Sequence, residues 1–120
     1  MLALLFLTLL CFLIVFLSGF RLHKLGKPYR TLLLTIHKLI PIALLVYLGL
    51  AMRLMTPFST LAWLVVLFAI FCFVVMVATG GWVSAAKEAP KVVLVLHKVL
   101  PYVTVLATAG ALYLIFVSKL

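Results

Sequence analysis

Four apolar runs, each long enough to cross a lipid bilayer as a helix, fill most of this 120-residue chain. They lie at about 2–20, 31–54, 60–81 and 90–117. A hydrocarbon core about 30 Å thick takes about 20 residues in a helix. Backbone in lipid finds no water to bond, so each run must satisfy its own N–H and C=O groups. Alternating strands are not seen, and helices are the workable choice. The expected fold is all-α: one transmembrane domain over residues 1–120, an integral membrane four-helix bundle. Composition agrees, with 69% hydrophobic residues and a mean hydropathy of +1.50. A soluble domain this small could not bury so much apolar surface.

The first run is read as a retained span. No base precedes it, Arg21 follows it, and no small-residue cleavage site comes after it. Cys11 and Cys72 lie inside apolar runs without a CxxC pattern, so they read as small apolar residues.

Charge sets the expected topology. Ten Lys and Arg stand against one acid, Glu88, for a net charge of +9. Arg21, Lys24, Lys27 and Arg30 separate runs one and two, and Lys87 and Lys91 separate runs three and four. Lys38 and Lys98 lie just inside the same side, while the opposite side has only Arg53 and Lys119. The positive-inside rule places the basic loops in the cytoplasm and both termini outside. Bases placed this way suit lipid headgroups better than nucleic acid.

The two halves repeat. Cys11-Phe12 through Ser18-Gly19 pairs with Cys72-Phe73 through Thr79-Gly80 at an offset of 61, and the offset becomes 60 after the loop. His37-Lys38-Leu39-Ile40-Pro41 then matches His97-Lys98-Val99-Leu100-Pro101. Thr31–Leu54 and Lys91–Leu114 share six identities in 24 positions, among them the His, the Lys and the Pro. Two helical hairpins in one orientation form a parallel repeat about an axis along the membrane normal.

Ionisable residues inside a span are functional candidates. His37 and His97 sit about 10 Å inside the expected cytoplasmic boundary, given 1.5 Å rise per residue. If the helices pack in chain order, these imidazoles face one another across the core. Such a pair suits axial ligation of a haem iron. Pro41 and Pro101, four residues on, each remove a hydrogen bond to the histidine's own carbonyl, and a bend is expected there. Lys38 and Lys98, which can snorkel to the near interface, are with Arg21 or Arg30 candidates to meet the haem propionates. Phe12 and Phe73 are candidate apolar flanks, with Cys11, Leu13, Phe16, Cys72 and Val77 at the same depth. Gly19 and Gly80 suit close helix approach. His23 has no counterpart in the second basic loop and reads as an interfacial loop residue.

The pattern Ser18-Gly19, a basic loop, then Ile36-His37-Lys38, echoed at 79–101, resembles the b-type membrane cytochromes of the cytochrome b561-like group. The resemblance implies helical histidines holding haem b and electron exchange, often with quinones. Many relatives carry a second histidine about four turns along the helix. Leu50 and Ala51 fall there in this chain, which implies a single haem near the cytoplasmic face. The expected function is electron relay between a membrane donor such as quinol and a partner redox protein, with His37 and His97 as metal ligands.

Two other classes fit parts of the pattern. A cofactor-free accessory or assembly subunit of a larger membrane complex would use the histidines only for interhelical hydrogen bonds. A small transporter fits the size, but a cation exporter would want an acid within the membrane, and Glu88 lies in a loop. No Ser-His-Asp set, metalloprotease motif or phosphate-binding loop favours a hydrolase.

Overall fold

The protein is described from a computed structural model that covers Met1–Leu120. It has four helices and no strand: α1 (Leu2–Leu25), α2 (Thr31–Met55), α3 (Thr60–Ala85) and α4 (Lys91–Val117). Each is long and apolar enough to cross a membrane. The all-α, four-helix membrane class is as the apolar runs require. The chain falls into two compact units, Met1–Tyr47 and Leu48–Leu120, with the boundary inside α2.

Two helices outrun their apolar segments. α1 continues through Arg21 to Leu25, and α3 continues past Gly81 to Ala85. Hydropathy marks where lipid contact ends, but in α1 Arg21, Leu22, Lys24 and Leu25 are good helix formers and carry the backbone ladder further, as Ala85 does at the end of α3. Gly26 stops α1. Its φ of 69° is left-handed, and its N–H donates to the Leu22 carbonyl at 3.0 Å. His23 therefore lies in the last turn of a helix, not in a loop. There it and Lys24 meet the negative end of the helix dipole. α4 begins at Lys91, with Pro90 as its N-cap residue. α2 and α4 run unbroken through Pro41 and Pro101.

α3 starts on a side-chain cap. The Ala62 N–H donates to the Ser59 hydroxyl at 3.2 Å. Beside it the rings of Phe58 and Trp63 tilt against each other at 5.2 Å, a pairing suited to the membrane–water boundary. Ser59→Ala should lower stability by about 1 kcal/mol. Reversible unfolding in mixed micelles would measure it.

In the first unit α1 buries one stripe: Leu4, Thr8, Phe12, Val15, Ser18 and Leu22. The steps of three and four residues keep them on one helical face. In the second unit α3 packs on α4. Ala62 and Ala111 are fully buried beside Val66 and Ile115, and Met52 and Met55 from the end of α2 pack on that cluster. Small residues at such a contact let helix backbones come close, which favours association where lipid removes the usual hydrophobic gain. Buried hydroxyls bond within their own helices, Thr8 to the Leu4 carbonyl and Thr108 to the Thr104 carbonyl, each at 2.7 Å. No buried side-chain polar atom lacks a partner. The other faces expose long apolar side chains such as Phe6, Leu9, Leu17, Phe71 and Leu106, as lipid-facing surfaces do.

Candidate functional site

His37 and His97 each lie six residues beyond the first residue of their helices, Thr31 and Lys91. That is about 9 Å along the helix axis. Both rings are half-buried, and each is gripped by the preceding helix of its own hairpin.

In the first hairpin Nδ1 of His37 lies 3.1 Å from the Val15 carbonyl oxygen. A carbonyl can only accept, so Nδ1 carries the proton and donates. The Ser18 hydroxyl is 3.0 Å from the same Nδ1. It also donates to the Val15 carbonyl at 3.0 Å. Gly19 completes the contact, for a Cβ built there would stand 2.8 Å from Cε1 of His37.

The second hairpin repeats this arrangement. His97 bonds the Met76 backbone. The Thr79 hydroxyl lies 3.2 Å from Nδ1 of His97, and it reaches the carbonyls of Val75 at 2.8 Å and Met76 at 3.0 Å. A Cβ on Gly80 would again stand 2.8 Å from Cε1. Val15 and Met76, Ser18 and Thr79, and Gly19 and Gly80 are the pairs related by the offset of 61.

The tautomer follows from these partners. With the proton on Nδ1 of His37, the lone pair of that neutral ring is on Nε2, and the repeat gives His97 the same assignment. Metal-ligating histidines commonly donate their other ring N–H to a carbonyl or carboxylate, which fixes the ring and raises ligand basicity. The donor set thus fits a haem-ligating histidine. No three His, Cys, Asp or Glu side chains cluster as an all-protein metal site; an iron in porphyrin asks only for axial donors.

The remaining candidates divide in two. Phe12 and Phe73 are buried, each on the stripe that its helix turns inward. Lys38, Lys98 and Arg21 are exposed. Cys72 is buried and Cys11 half-buried, both as free thiols. Leu13 and Val77, expected beside the cofactor, turn outward. The carbonyls of Val15 and Met76 were missed from sequence, because a backbone acceptor has no residue-type signature. The small pairs Ser18-Gly19 and Thr79-Gly80 were the visible part of the signal. No protein-family model, curated protein or solved structure matches the chain.

Proposed function

We propose that the chain is a membrane b-type cytochrome with one haem b, held by Nε2 of His37 and Nε2 of His97 as axial ligands. The observation that carries this reading is the doubled seat: Nδ1 of His37 is tied to the Val15 carbonyl and a hydroxyl, and in the second hairpin His97 bonds the Met76 backbone with Nδ1 against the Thr79 hydroxyl. That is the supporting bond a ligating histidine needs, and it occurs at matching positions in both repeats. The likeness to the cytochrome b561-like group points the same way.

Bound haem would supply a one-electron couple. The chain's part is to orient two imidazoles, keep water away with apolar faces, and set the surrounding charge. Phe12 and Phe73 provide apolar walls. Lys38, Lys98 and Arg21 provide cations for the propionates and favour the less positive, reduced state. The donor is membrane-borne, of the quinol class, and a partner redox protein completes the relay. The basic loops face the cytoplasm. A phosphatase joined after Leu120 is therefore expected to be active and a fluorescent protein there dark, with the reverse pattern for fusions at Gly26.

A second reading keeps the same hydrogen bonds and gives them a purely mechanical role. The ring of His37 joins α1 to α2 and that of His97 joins α3 to α4, as in a cofactor-free accessory subunit. The absorption spectrum of protein purified with its native pigment separates the two. Sharp, split reduced bands of low-spin haem at one haem per chain are expected. A colourless protein that also fails to take up haemin would overturn the cytochrome reading.

A further inference from the structure

We infer that Ser18 with Gly19, and Thr79 with Gly80, are positioning residues that select which ring nitrogen of His37 and His97 is the donor for a metal. The purpose assigned to them rests on the cytochrome reading. The tautomer itself does not.

Glycine acts by leaving a notch. A Cβ at Gly19 or Gly80 would approach Cε1 to 2.8 Å, closer than such atoms tolerate, so the ring would have to move. Cε1 lies between the two ring nitrogens, and a ring pushed from this side is levered away from the carbonyl that holds Nδ1. The hydroxyl acts by its lone pair. Ser18 sends its proton to the Val15 carbonyl, which turns hydroxyl oxygen density toward Nδ1 at 3.0 Å. The Nδ1–H is then shared between two acceptors. Thr79 offers the same arrangement to His97. Were Nδ1 of His37 unprotonated, its lone pair would oppose that of the Val15 carbonyl, and the matching groups around His97 carry the same argument to the second hairpin. Two acceptors on Nδ1–H push electron density to Nε2 and strengthen it as a ligand.

Nitrogen-15 NMR of the ring nitrogens in the haem-free full chain, held in micelles, tests this. The wild type should show Nδ1–H and bare-lone-pair Nε2 signals for both His37 and His97. Gly19→Ala should move His37 toward the Nε2–H form and leave His97 unchanged, and Gly80→Ala should do the converse. Each hairpin is thus the control for the other. Ser18→Ala should lower the Nδ1–H fraction of His37 in the same direction, while Ser18→Thr, which installs the side chain of the matching position, should keep the wild-type pattern. With haemin added, Gly19→Ala should raise the reduction potential, because a less basic ligand stabilises the oxidised iron less. An Nε2–H form at either histidine in the wild type would overturn the inference, and so would ring signals that ignore both Ser18→Ala and Gly19→Ala. If the wild type shows the Nδ1–H form yet takes up no haemin, the seat stands and the cytochrome reading falls. If it takes up haemin with the opposite tautomer, the seat falls alone.

Discussion

His37→Ala and His97→Ala should each abolish the low-spin haem spectrum while His23→Ala leaves it intact. Removing one axial nitrogen leaves an iron that cannot keep six strong-field ligands, so the bands should broaden into a high-spin form or vanish with the pigment. Losing only the group that supports a metal ligand typically costs about 10–100-fold in affinity, and losing the ligand itself should cost more. His23 is the matched control because it is exposed in the last turn of α1, remote in character from the seats. Asparagine variants sharpen the contrast. A carboxamide in place of the imidazole is not a haem ligand, yet its NH₂ can still donate toward the Val15 carbonyl. His37→Asn should therefore lose the spectrum while keeping much of the hairpin's stability. Full function after His→Asn at both positions would favour the mechanical role.

Phe73→Ala should be the most destabilising single truncation in the α3–α4 unit, at about 2–3 kcal/mol. Phe73 is only 2% exposed, whereas Phe71, two residues earlier, is 63% exposed. In water a buried Phe→Ala costs about 3–5 kcal/mol, part of it transfer and part cavity. Here the outside is lipid, as apolar as the inside, so most of the transfer part disappears. What remains is the lost packing around a void of roughly 100 Å³, at about 24 cal/mol per Å³. Phe71→Ala should fall within about 0.5 kcal/mol of wild type, since it opens no cavity. Unfolding in mixed micelles, followed by loss of helix signal, would compare the two. Equal losses would mean that Phe71, not only Phe73, packs against protein.

The spans were legible because lipid imposes a length and forbids unpaired backbone. Their ends were less so: residues 21–25 and 82–85 are helical but carry little hydropathy information beyond the lipid boundary. Both histidines stood out, since an ionisable group inside a span is costly without a purpose. The glycines could be read as points of close approach, yet what approaches is an imidazole, not a neighbouring backbone. That distinction needs the cross-helix register, which no one-dimensional pattern holds. Ala62 and Ala111 illustrate the same limit, because an alanine in an apolar run says nothing about which face it occupies until the opposing helix is in place.

The hairpins differ in one respect that bears on how such a chain can change. Ser18 and His37 are 19 residues apart, but Thr79 and His97 are 18 apart. The connecting segments, 26–30 and 86–90, are equally long, so the added residue lengthens the end of α1 beyond Ser18. It has altered neither the Cε1 approach nor the hydroxyl against Nδ1. The helix surfaces facing each other thus dictate where the ring docks, and the length of the helix end past them is open to drift, while the residues that grip each imidazole are not.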